Sequence, residues 1–79
     1  MAKMRMNQAI TAALADEMRA DDSVMIMGED IAAAGGPFKT SDGLLAEFGP
    51  KRVRDTPISE MGFTGAAVGA SALGLRPVV

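Results

Sequence analysis

Two glutamates stand where this chain could do chemistry. Glu29 follows the apolar run Val24-Met25-Ile26-Met27-Gly28, and Glu60 follows Asp55-Thr56-Pro57-Ile58-Ser59 at the head of a stretch rich in small residues. If Val24–Met27 and Arg52–Arg54 are strands of one open α/β sheet, both carboxylates lie beyond strand carboxyl ends, where such sheets bind ligands. They can then share a pocket. The chain has no histidine and no cysteine, so acid–base work rests on Asp, Glu or Lys, and thiolate ligation and disulfides are excluded. Position alone leaves a second reading open. An acidic residue in the first turn of a helix is ordinary capping, favoured by the helix dipole by ~0.3–1 kcal/mol.

Other motifs carry less chemistry. Gly35-Gly36-Pro37-Phe38-Lys39-Thr40 has the residue types of a phosphate loop but not its spacing, and it reads as a flexible surface loop. Lys51, Arg52 and Arg54 read as a solvated strand end or a salt-bridged edge. The 8 basic and 10 acidic residues are interspersed, and the aromatics are three phenylalanines. Nucleic-acid binding is therefore not expected. The apolar stretch from Met61 to Leu75 falls short of the ~20 residues that span a bilayer. The first 20 residues contain no apolar signal segment, and the lack of cysteine fits a cytosolic protein.

The elements that must position the two glutamates follow from periodicity. Met6, Ala9, Ile10, Ala13, Leu14 and Met18 recur at helical spacing, predicting a helix from about Asn7, as N-cap, to Ala20. Val24–Met27 is a short continuous apolar run, the pattern of a strand buried on both faces. Residues 31 to 40 form a loop. A short helix runs from about Asp42 to Phe48 and closes at Gly49-Pro50. Arg52-Val53-Arg54 is a second strand. Ser59 is a fitting N-cap for a helix over residues 60 to 73. Gly74 ends it, and Pro77-Val78-Val79 opens a third strand. Strands alternating with helices predict an α/β fold with a parallel sheet.

Gly62, Gly65, Ala66, Gly69 and Ala70 line the last helix. Each glycine costs ~1 kcal/mol relative to alanine inside a helix, so several imply a packing reason. The chain's own sheet, a subunit interface, or a mixture of the two would supply it. The apolar strand that opens at Pro77 and breaks off at Val79 leads to the expectation that the chain is cut from a longer protein.

The stretch GEDIAAAGGPFKTSDGLLAEFGPKRVRDTPISEMGFTGAAVGASALGLRPVV closely resembles the β subunits of thiamine-diphosphate-dependent 2-oxo acid dehydrogenases. The family pattern is Gly-Glu-Asp/Glu after the first strand, a glycine-containing loop, G-L…F/Y-G, R-V/I…D-T-P-I-S-E, a small-residue helix and G-L-R-P. These pieces occur in order from Gly28 to Pro77, and the helix from Asn7 matches the family's opening. The resemblance implies a partial three-layer, parallel-sheet pyrimidine-binding domain, with residues 1–79 as its N-terminal part and no second domain.

The resemblance also implies a site. Glu60 contacts the aminopyrimidine ring of thiamine diphosphate, Glu29 lines the same site, and Ile58 packs near the ring. Glu60 would favour the imino tautomer, whose exocyclic nitrogen deprotonates the thiazolium carbon; the cofactor is the electron sink. Sharing a proton with the ring calls for a raised carboxyl pKa, so desolvation must outweigh the helix N-terminus. Mg²⁺ and the diphosphate are held by the α subunit, so no metal site is expected here. The implied partners are an α subunit and a second β subunit in a heterotetramer, and a lipoyl acyltransferase core. The implied compartment is the cytoplasm, or the mitochondrial matrix in a eukaryote. The substrate would be pyruvate, a branched-chain 2-oxo acid or acetoin, and the isolated chain is expected to be inactive. The alternative is a non-catalytic α/β interaction module that retains the fold.

Overall fold

The computed structural model describes residues 3–79. The elements are α1 (Met6–Ala20), β1 (Val24–Gly28), α2 (Leu44–Phe48), β2 (Val53–Asp55), α3 (Glu60–Ala72) and β3 (Arg76–Val78). The three strands form one parallel sheet in the order β2-β1-β3. All five residues of β1 are buried, as the unbroken apolar run predicts. Alternate side chains of the strand serve opposite faces. Val24 and Ile26 pack with Ala15 and Met18 of α1, Leu44 of α2 and Val53 of β2. Met25 and Met27 pack with Ala67 and Phe63 of α3. The result is three layers: α1 and α2, the sheet, then α3.

The helix starts differ from expectation in detail. Helix α1 begins before Asn7, and its N-cap is Arg5, whose backbone is extended. The Gln8 carboxamide accepts from the Arg5 N–H at 3.0 Å, which ties the cap without Asn7. Asn7 lies inside the first turn, where its Oδ1 accepts from Gln8 N–H at 2.9 Å while its Nδ2 donates to the Phe38 carbonyl at 3.1 Å. Helix α3 does follow Ser59, but the Ser59 hydroxyl makes no capping bond. A Cβ added at Gly62 would lie 2.6 Å from that hydroxyl oxygen, so the glycine provides the room the Ser59 side chain takes.

Arg52 is not a solvated strand end. Its Nη2 donates to the carbonyls of Met18 at 2.6 Å, Asp21 at 2.9 Å and Val24 at 2.9 Å. Its guanidinium also lies 4.9 Å from the centre of the Phe48 ring. The last carbonyls of a helix lack intrahelical partners, and a cation there meets both their lone pairs and the negative end of the dipole. Arg52 thus fastens the end of α1 to the start of β1 from the neighbouring strand.

Other polar ties close the same side. Asp21 accepts from the Ser23 hydroxyl at 2.6 Å and the Ser23 amide at 2.9 Å. Those bonds, the hydroxyl first, hold the Asp21 carboxyl below its usual range. Arg19 meets Glu47 through paired contacts of 2.5 and 2.7 Å, joining α1 to α2. That pair lowers the Glu47 carboxyl and raises the Arg19 guanidinium, in both cases through the hydrogen bond first.

The segment after β1 is a compact, self-bonded loop rather than a flexible one. Gly36 N–H donates to Asp30 O at 2.8 Å, and Ser41 N–H to Gly35 O at 3.1 Å. The Ser41 side chain is fully buried and donates to Ile31 O at 2.7 Å. Gly35 has φ +76°, and a Cβ there would meet the Asp42 Cα at 3.2 Å. A left-handed glycine is what lets the loop close so tightly.

Helix α3 covers its face of the sheet thinly. Ala67 is its buried residue, whereas Met61 and Val68 are exposed. A methyl group added at Gly65 or Gly69 would meet nothing within 4 Å. The close packing expected of the small-residue helix is therefore found at Gly62 and not at the other two. No helix among the described residues is long and apolar enough to cross a membrane.

Candidate functional site at the carboxyl end of the sheet

Parallel pairing brings the ends of β1 and β2 together, because Gly28 is in register with Asp55. The alignment is sealed one residue on, where Thr56 N–H donates to Gly28 O at 3.0 Å. Glu29 therefore leaves β1 at the point where Thr56 leaves β2. Glu29 is partly buried, and Asp30 behind it takes a left-handed turn with φ +56°. Thr56-Pro57-Ile58-Ser59 then leads to Glu60, the first residue of α3. The fold thus brings the two predicted glutamates to one end of the sheet, on adjacent strand exits.

The cavity at this end measures about 320 Å³ and is lined by Met27, Thr56, Pro57, Ser59, Gly62, Phe63 and Ala66. A second cavity of about 560 Å³ shares Met27, Thr56, Pro57 and Ala66 and continues along β2 past Arg54 and Asp55. Neither Glu29 nor Glu60 is among the lining residues; Glu60 flanks the smaller cavity as the neighbour of Ser59. Glu60 is exposed, and Ile58 is 76% exposed. The desolvation expected around Glu60, and the packing expected of Ile58, are not supplied by the described residues.

Asp55 is a neighbour of this site that sequence reasoning missed. Its Oδ1 accepts from Ala32 N–H at 2.8 Å, and its Oδ2 from Ala33 N–H at 3.4 Å. The signal was a carboxylate at a strand end opposite a run of alanines, whose free amides invite an acceptor. Arg54, by contrast, donates to Lys51 O at 3.0 Å within its own turn.

The residues present suit one end of thiamine diphosphate. A flat heteroaromatic ring would fit against Met27, Pro57, Phe63 and Ala66, with the hydroxyls of Thr56 and Ser59 at its polar edge. That smaller cavity has no basic lining residue to pair with a diphosphate. Among the described residues, no three acidic side chains are gathered as metal ligands would be. A polar cavity of about 500 Å³ lies between α1 and residues 39–47. The Arg19 guanidinium that lines it is already bound to Glu47.

Comparison with known proteins agrees with this geometry. The sequence profile of the family described as transketolase, pyrimidine binding domain, matches residues 2–79. The chain is 52% identical, over its whole length, to pyruvate dehydrogenase E1 component subunit beta of Rhizobium meliloti, of which it covers 17%. It is 54% identical over 98% of its length to the mitochondrial subunit beta-2 of Oryza sativa, covering 20% of that protein. It is 50% identical over 96% of its length to the mitochondrial subunit of Saccharomyces cerevisiae, covering 21%. The chain thus spans about a fifth of the length of these curated relatives.

Proposed function

The chain belongs to the family of transketolase pyrimidine-binding domains, and from that membership we propose that it supplies the aminopyrimidine side of a thiamine-diphosphate site. The enzyme would be the decarboxylating component of a 2-oxo acid dehydrogenase, and residues 1–79 would be the N-terminal part of a longer pyrimidine-binding domain. The observation that carries this reading is the apolar slot lined by Met27, Pro57 and Phe63 beside Glu60, at the carboxyl end of a parallel sheet. The named relatives are pyruvate dehydrogenase β subunits, which favours pyruvate over a branched-chain 2-oxo acid or acetoin.

When bound, the cofactor would supply the electron sink for decarboxylation. This chain's part is to bind and orient. Glu60 would hydrogen-bond a pyrimidine ring nitrogen, Glu29 would border the same space, and Ile58 would approach the ring. Both Glu60 and Ile58 need a covering surface to exclude water. An α subunit and a second β subunit would provide it, and the α subunit would hold Mg²⁺ and the diphosphate. The exposed Met61 and Val68 of α3, and the open space at Gly65 and Gly69, are consistent with such a cover. The acyl group would pass to a lipoyl acyltransferase core. The compartment would be the cytoplasm or the mitochondrial matrix. Alone, the chain would be inactive, having only one side of the site.

The test uses the full-length protein assembled with its α subunit and assayed with pyruvate, a branched-chain 2-oxo acid and acetoin. Glu60→Gln is expected to abolish thiamine-diphosphate-dependent decarboxylation while leaving assembly intact. Full activity in that variant would refute the assignment.

A further inference from the structure

We propose that Asp55 is a positioning residue, which holds the Glu29 loop in register with the strand exit that leads to Glu60. The inference rests on the proposed thiamine-diphosphate site and adds a residue to it. Its basis is the pattern of ties around Glu29. Before Glu29, the Gly28 carbonyl accepts from Thr56 N–H at 3.0 Å. After it, Ala32 N–H and Ala33 N–H donate to the two oxygens of Asp55 at 2.8 and 3.4 Å. Residues 29–31 are thus bracketed between bonds to two consecutive residues of the neighbouring strand exit. The same exit continues through Pro57 to Glu60, so its setting governs both glutamates.

The loop's remaining bonds cannot replace this tie. Gly35 N–H to Ala32 O, Gly36 N–H to Asp30 O and the Ser41 hydroxyl to Ile31 O fasten the loop to itself. The side chains of Asn7 and Thr11 tie its far end to α1 through Phe38 O and Lys39 O, and none of these bonds reaches β2. Hydrogen bonds to an ionised carboxylate are the stronger kind. No ion pair to a basic side chain is found for Asp55 among the described residues, so its oxygens are committed to the two amides. Ala32 itself packs in the core with Val53 and Leu44, and Ile31 packs against that core. Removing the carboxylate therefore leaves the loop docked but frees the amides of Ala32 and Ala33 and loosens residues 29–31 between their two ties.

The experiment uses the full-length protein assembled with its α subunit, as Asp55→Ala, Asp55→Asn, Met18→Ala and Glu60→Gln variants. Three quantities are read: the dissociation constant for thiamine diphosphate by calorimetry, amide exchange across residues 29–33 by mass spectrometry, and the melting midpoint. Asp55→Ala is expected to weaken cofactor binding about tenfold and to speed exchange at Ala32 and Ala33. Asp55→Asn keeps one oxygen for Ala32 and is expected to restore most of the affinity. Met18→Ala, a core change away from the site, should lower the midpoint with the cofactor constant unchanged. The proposal is overturned if Asp55→Ala binds cofactor within twofold of the parent. It is equally overturned if its affinity falls only in step with its midpoint, as a general loss of stability would produce. Should Asp55→Ala fail to assemble, Asp55→Asn decides, and unchanged exchange at Ala33 refutes the tie. If exchange quickens as expected but Glu60→Gln leaves cofactor binding and activity intact, the tie stands and the functional reading fails.

Discussion

Replacing Arg52 by alanine removes the donor that closes the end of α1, and the cost follows from its contacts. Nη2 carries two N–H groups and faces three carbonyls, at 2.6, 2.9 and 2.9 Å. Nε adds a longer contact to Val24 O at 3.2 Å. This amounts to two full charge-assisted bonds shared among three acceptors. Such bonds contribute about 1.5–3 kcal/mol each, and Arg52 is only partly buried, so the lower figure applies to each. The cation–π contact with Phe48 adds ~0.5–1 kcal/mol. The expected loss is about 3.5–4 kcal/mol. A chain of 79 residues has about 4–12 kcal/mol of total stability at ~0.05–0.15 kcal/mol per residue, so the loss is a large share of it. At ~4–8 °C per kcal/mol for a domain of this size, the circular-dichroism melting midpoint should fall by at least ~10 °C. Arg52→Lys keeps the charge but not the fork and should lose about half as much. A midpoint within about 2 °C of the parent for Arg52→Ala, against that expected scale, would show that water replaces the guanidinium at the three carbonyls and that the reasoning is wrong.

Three further outcomes are expected. Met18 is fully buried between α1 and the sheet, and Met18→Ala should cost about 2–5 kcal/mol in urea unfolding. Gly65→Ala should stabilise the isolated chain by about 0.5–1 kcal/mol, because nothing lies within 4 Å of the added methyl. The same change should weaken assembly with partner subunits, measured by sedimentation; unchanged assembly would mean that no backbone approaches α3 there. The carboxyls of Asp21 and Glu47 are lowered in the folded chain, from ordinary values of 3.8 and 4.5. Their contribution is therefore complete above those values and is lost as the pH falls through the lower folded ones. Melting midpoints should decline below about pH 4, and the decline should be smaller in Glu47→Gln.

Much of the fold was legible in the chain because its signals are local. The Val24–Met27 run told of a strand covered on both faces, and Val24/Ile26 and Met25/Met27 do face different helices. The period of Met6 to Met18 marked α1, and the glycines and prolines marked the ends of the other elements. The placement of Glu29 and Glu60 at strand exits also followed from sequence order and a parallel sheet. The errors were ones of side-chain partnership. Asn7 lies inside the first turn of α1, bonding Gln8 N–H and Phe38 O. Ser59 is the N-cap of α3 but makes no side-chain capping bond, its hydroxyl lying against Gly62. Gly35-Gly36 looked like slack and instead let Ser41 bury its hydroxyl.

The sequence by itself determined the order and type of the elements, the centrality of β1, and the motif that carries Glu60. Only the tertiary structure decided that Arg52 serves the end of α1, that Asp55 holds the amides of Ala32 and Ala33, and that Gly65 and Gly69 face open space. The physical reason is separation along the chain. Helical and strand periods act over a few residues, whereas the Arg52 and Asp55 contacts bridge 22 to 34 positions. They exist because β2 pairs beside β1, and no local pattern records which carbonyl or amide that pairing will present.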